Sequence, residues 1–156
     1  MNISVEKSAM VTPTGEKTPI YYAAQTVNNE ILAMDHVYLN YEWEGTMCVL
    51  GESGEKNKNF SMLDNALTSH ERIKSVKASE DTIIGTFKDS FENDAFMVVN
   101  FADPDLGKTC TAEIEFKGTS KAVCYSKGER TVVEAKKGKL KLELEPGNGA
   151  FVIPLQ

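Results

Sequence analysis

Histidine, cysteine and paired carboxylates carry much of protein chemistry, and this chain is sparing with the first two. The histidines are His36 and His70, and the cysteines are Cys48, Cys110 and Cys124. A nucleophilic triad sets a serine or cysteine against a histidine base. The Gly-x-Ser-x-Gly elbow that presents such a serine does not occur in the sequence. The histidines are not spaced i,i+4 and have no Cys-x-x-Cys pair to join, so no metal centre is expected. His36 falls at a helix end and His70 in the polar turn "TSHER"; each reads as a solvated or capping histidine. Without Gly-x-Gly-x-x-Gly or a P-loop, nucleotide binding has no support, and no cofactor is expected.

Carboxylates are abundant, 23 in all. Glycosidases work with two of them. Glu42 and Glu44 flank Trp43, and Asp103 and Asp105 flank Pro104. The second group is better explained as a turn between strands. The acids in "AEIEFK" and "LELE" alternate with apolar residues and so face solvent. No catalytic residue is therefore assigned. The sugar-contact candidates are Tyr38, Tyr41 and Trp43, whose rings could stack on a sugar face. Packing is the preferred role, because the tyrosines fall on the core face of a helix and a single tryptophan commonly anchors a core.

These residues must be positioned by a chain of 156 residues, the size of one domain, long enough to bury a real core. Apolar residues make up 41% and charged residues 26%, ordinary for a globular protein. The net charge of −6 argues against nucleic acid or an anionic membrane as partner. It does not argue against a neutral sugar. An odd cysteine count argues against a disulfide framework; Cys110 and Cys124 lie in strand-like runs and read as small core residues. Three free thiols lean towards a cytoplasmic setting. Met1–Gly15 lacks the basic-then-apolar pattern of a signal peptide, so none is expected.

In "TPIYYAAQTVNNEILAMDHVYLNY", apolar residues recur at Ile20, Ala24, Val27, Ile31, Met34, Tyr38 and Tyr41. Those steps predict an amphipathic helix from Pro19 to about Ala33, with Thr18 as its cap and Pro19 in its first turn. Beyond Ala33 the pattern is double, since Val37, Leu39, Tyr41 and Trp43 also alternate as a strand does. After Gly45 the period is two. Strands are predicted in "TMCVLG", "RIKSVKAS", "TIIGTFKD", "DAFMVVNF", "TCTAEIEFK", "KAVCYS", "RTVVEA", "KLKLELE" and "AFVIPL". "DAFMVVNF", apolar on both faces, is placed centrally. "AFVIPL" is placed at an edge because of Pro154. "GESGEKNKNFS" is a polar loop. The expected fold is mainly β: an antiparallel β-sandwich of about 8–10 strands over residues 42–156, preceded by one N-terminal amphipathic α-helix with its linker (18–41) and a lead-in (1–17).

The segments "EKTPIYYAAQTVNNEI", "NYEWEG", "DAFMVVNFADP" and "GKLKLELEPGNGAFVIPL" resemble the C-terminal β-sandwich region of bacterial glycoside hydrolases of the β-galactosidase-like kind. Such regions follow a (β/α)₈ catalytic barrel and often close on a Leu-x-Leu-x-Pro-Gly-x-Gly-Ala pattern, here Leu142 to Ala150. A barrel needs about 200 residues or more, so the catalytic carboxylates of the family have no counterpart in this chain. The resemblance implies a non-catalytic accessory or structural domain in carbohydrate degradation, expressed as the end of a larger enzyme. Its expected partner is the catalytic barrel. The alternative is a free-standing, lectin-like carbohydrate-binding module. Two further expectations follow from the residues. A glycine of the closing turn, Gly147 or Gly149, takes positive φ. The helix carries an apolar surface along Tyr21–Leu32 wider than one contact requires, which could serve self-association.

Overall fold

The computed structural model describes residues 9–52 and 66–155. Most of the polar loop read in "GESGEKNKNFS" lies outside them. One helix, α1 (Pro19–Tyr38), precedes nine strands among the described residues. They are β1 (Tyr41–Val49), β2 (Ile73–Ala78), β3 (Thr82–Asp89), β4 (Asp94–Asn100), β5 (Cys110–Phe116), β6 (Lys121–Ser126), β7 (Glu129–Glu134), β8 (Lys139–Leu144) and β9 (Gly149–Leu155). They form two antiparallel sheets, ordered β1-β3-β4-β9-β6-β7 and β2-β5-β8.

Alternation explains the smaller sheet. In β8, Leu140, Leu142 and Leu144 are buried while Lys139, Lys141 and Glu143 face out. In β5, Cys110, Ala112, Ile114 and Phe116 point inward beside them. This face meets Ile84, Phe96, Val98, Ala122, Cys124, Ala150 and Val152 of the larger sheet, giving the central core of a sandwich. Cys110 and Cys124 are both buried in that core, and burial pushes the Cys124 thiol up to about 11.

The larger sheet is apolar on its outer face too. Phe87, Ala95, Val123, Tyr125 and Phe151 form a second cluster there, and Met34, Val37, Tyr38 and Tyr41 pack against it. The C-terminal end of α1 is thereby anchored. The helix runs to Tyr38, past Ala33, and the strand pattern begins at Tyr41, so both halves of the double periodicity are used in turn. Thr18 occupies the N-cap position but does not cap with its side chain. Its Oγ1 donates instead to the carbonyls of Ala9 (2.6 Å) and Met10 (3.1 Å), tying the lead-in to the helix.

β9 is not the edge strand that Pro154 suggested. It lies between β4 and β6. The register with β4 ends at Phe96↔Val152, whereas pairing with β6 continues to Lys121↔Leu155. Pro154 therefore has no β4 partner, which is how an interior strand tolerates it. The turn before β9 has Gly147 at φ 71°, as expected of a left-handed glycine position.

Asn100 closes the end of β4. Its Nδ2 donates to the carbonyls of Lys108 (2.9 Å) and Leu144 (3.1 Å), and its Oδ1 accepts from the Ala102 amide (3.0 Å). One buried side chain thus joins the two sheets and fixes the loop after β4. That loop contains the Asp103–Pro104–Asp105 turn, where Asp103 Oδ1 accepts the Asp105 amide at 3.0 Å.

Candidate functional site

The three aromatic candidates do not form a platform. Tyr38 lies edge-on to Phe87 and Phe151, at 5.5 Å from each, and Tyr41 lies edge-on to Phe151 at 5.5 Å. Both tyrosines are packing residues, but only Tyr38 reaches the cluster from the helix; Tyr41 reaches it from β1. Trp43 is not a core anchor: it is 65% exposed. It belongs to β1, at the edge of the larger sheet, with Nε1 3.3 Å from Thr46 Oγ1.

The exposed face of α1 is more extensive. No residue of the helix is fully buried. Ile20, Tyr22, Val27, Ile31 and Leu32 are all exposed, Leu32 at 63%. Ile20, Val27 and Ile31 continue the stripe that Met34 and Tyr38 anchor to the sheet. Between this stripe and the sheet lies an apolar crevice of about 180 Å³, lined in part by Val27, Ile31, Met34, Met97, Val99 and Phe151.

A polar cluster draws residues from β1, from the segment before β2 and from the start of β4. It begins with a β-bulge. In β1, Trp43 pairs Phe87 and Gly45 pairs Thr86, so Glu44 is the extra residue. Leu67 packs on Gly45 so closely that a Cβ there would lie 2.6 Å from Leu67 Cδ1. Leu67 is also fastened by its amide to the Thr46 carbonyl at 2.7 Å. The chain then delivers His70 and Arg72 to the start of β4, where Asp94 stands.

His70 Nε2 lies 3.8 Å from Asp94 Oδ1 and 3.9 Å from Glu44 Oε2. Arg72 Nε lies 3.5 Å from Asp94 Oδ2, and Lys88 Nζ lies 3.9 Å from Glu44 Oε1. His70 is not a solvated histidine: its side chain is 9% exposed and stands edge-on to Phe96 at 5.0 Å. The capping half of its expected role does hold, since Nδ1 accepts the Arg72 amide at 3.2 Å. Asp94 is equally buried, at 9%, and burial raises its carboxyl above the usual range despite the opposing charges of His70, Lys88 and Arg72. Asp94 Oδ1 and Arg72 Nε are buried without a hydrogen-bond partner. His36, by contrast, is exposed, with Nδ1 3.8 Å from Asp35.

The Glu44 and Asp94 ligand oxygens lie within 4.8 Å of one another, near the spacing of a retaining glycosidase pair. A sugar ring cannot use that spacing here. His70 stands against both carboxylates, and Asp94 Oδ1 has essentially no solvent-exposed surface. Sequence reading missed this cluster because its members come from β1, the segment before β2, and β4. The sequence offered Glu44 only as a flank of Trp43 and His70 only as part of the turn "TSHER", with nothing to join them.

Among known proteins, the chain matches no family model, no curated sequence and no solved structure.

Proposed function

We propose that this chain is a non-catalytic accessory sandwich of a glycoside hydrolase, acting in carbohydrate degradation by docking against a (β/α)₈ catalytic barrel. The observation that carries the proposal is α1. Its C-terminal end is seated on the sandwich by Met34, Val37 and Tyr38, while Ile20, Val27, Ile31 and Leu32 stay exposed. Large contiguous apolar patches on soluble proteins mark interaction surfaces. A helix fixed at one end and apolar at the other suits a domain that must hold a fixed orientation to a neighbour. The resemblance of "DAFMVVNFADP" and "GKLKLELEPGNGAFVIPL" to terminal sandwiches supplies the identity of that neighbour.

Titration calorimetry tests this. A sandwich-bearing glycoside hydrolase barrel, expressed without its sandwich, should bind the wild-type chain, and a Val27→Ser, Leu32→Ser variant should bind at least about tenfold more weakly, the loss expected when an interface forfeits more than 1.4 kcal/mol. Equal binding by the variant, or none by the wild type, contradicts the proposal.

The second function, a free-standing carbohydrate-binding module, draws support from one side chain, the exposed indole of Trp43. Retention of the chain on insoluble polysaccharide, lost on Trp43→Ala, would favour it over docking.

A further inference from the structure

We propose that Glu44, His70 and Asp94 bind one divalent cation of the zinc, cobalt or manganese class. The proposal is independent of the docking function.

Three ligand atoms, Glu44 Oε2, His70 Nε2 and Asp94 Oδ1, converge within 4.8 Å of one another. Asp94 Oδ1 supplies the decisive observation. It is a carboxylate oxygen on a side chain nine-tenths buried, aimed at the cluster, with no hydrogen bond. A buried carboxylate oxygen without a partner is costly, and a cation is the partner that offsets most of that cost.

The second oxygen of each carboxylate already faces a cation. Lys88 lies by Glu44 Oε1 and Arg72 by Asp94 Oδ2. Outer contacts to ligating carboxylates orient them. Size discriminates further. With sides of 3.8 and 3.9 Å and a third of at most 4.8 Å, the triangle places a point equidistant from all three at no more than roughly 2.5 Å from each. In-plane hydrogen bonds from a water need about 2.7–3.0 Å. Metal bonds from oxygen and imidazole need about 2.0–2.2 Å, so the ligands must close by at most a few tenths of an ångström. Glu44, 39% exposed, can make that movement and gives the ion its way in from solvent. One imidazole with two carboxylates favours a borderline ion over Mg²⁺ or Ca²⁺, which prefer oxygen alone.

Two features oppose binding. Because Nδ1 accepts the Arg72 amide, the neutral ring carries its proton on Nε2. A metal on Nε2 transfers that proton to Nδ1 and takes the acceptor from the amide. Lys88 and Arg72 also place positive charge beside the ion. A plain ion-pair clasp is the competing account; it sets Asp94 Oδ1 3.8 Å from His70 Nε2 and leaves that oxygen without a hydrogen bond.

The test is Co²⁺ titration of the full chain, followed by visible absorption and calorimetry. One equivalent should bind, without a thiolate charge-transfer band, which excludes Cys48. Asp94→Asn, His70→Gln and Glu44→Gln should each weaken binding at least about tenfold, and Glu129→Gln on β7 should not. Should His70→Gln fail to fold by near-ultraviolet circular dichroism, Glu44→Gln, on a partly exposed side chain, still decides. Absence of saturable binding, a thiolate band, or unchanged affinity in Asp94→Asn and Glu44→Gln overturns the proposal.

Discussion

Replacing Asn100 with alanine removes three hydrogen bonds from one place. The Lys108 and Leu144 carbonyls lose their donor and the Ala102 amide loses its acceptor. At about 1 kcal/mol net for each bond, the loss is about 3 kcal/mol. For a chain of this length that corresponds to a fall of about 6–12 °C in Tm. Asn100→Asp separates geometry from donor chemistry. It keeps the acceptor for Ala102 but turns a carboxyl oxygen towards two carbonyls, so the folded state favours the protonated acid. Its folded pKa then exceeds the unfolded value of about 3.9. The folded state holds a proton that the unfolded state has released, so stability falls as pH rises through that interval. Urea midpoints for wild type, Asn100→Ala and Asn100→Asp at several pH values between about 3.5 and 7 measure both effects at constant m-value. A cost under about 0.5 kcal/mol for alanine, or an Asn100→Asp curve parallel to wild type, would refute the assignment of Asn100 as the fastener between the sheets.

Three further outcomes are expected. Gly147→Val, at φ 71°, should cost about 1–3 kcal/mol from backbone strain, and Gly149→Val a similar amount because its Cβ would stand 3.1 Å from the Val98 carbonyl oxygen; urea melts equal to wild type would show the turn to be unstrained. Asp94, with its carboxyl raised mainly by burial, should withdraw stability as pH rises from the ordinary aspartate value of 3.8 through the raised one, so Asp94→Asn should gain on wild type across that window; a difference independent of pH in metal-free buffer would contradict it. The purified chain should release no nitrophenol from a panel of aryl glycosides, and turnover above about 0.01 per second that disappears on mutating one acidic residue would make it an enzyme.

Period-two alternation in β5 and β8, and the apolar run of β4, were legible because each of those strands has its faces settled by neighbours that alternation itself predicts. The helix end was ambiguous for a physical reason. Val37, Tyr38 and Tyr41 all contact one aromatic cluster, two from a helix and one from a strand, so both periodicities were present. Pro154 misled because the sequence does not show that β4 stops pairing at Val152. Trp43 misled because tryptophan usually buries its area, whereas this one lies on the edge strand β1. The polar cluster was beyond sequence reading. His70 in "TSHER" looks solvated until the turn is folded against Phe96 and Asp94. Neither carboxylate differs, as sequence, from the other acids of the chain.

Hydrogen–deuterium exchange on the complex with a sandwich-deleted barrel tests the docking claim most directly. The account predicts added protection on complex formation in residues 20–32 of α1, with the exchange of β5 and β8 unchanged. Protection confined to the β2-β5-β8 sheet, or no change in α1 at saturating barrel, would contradict it.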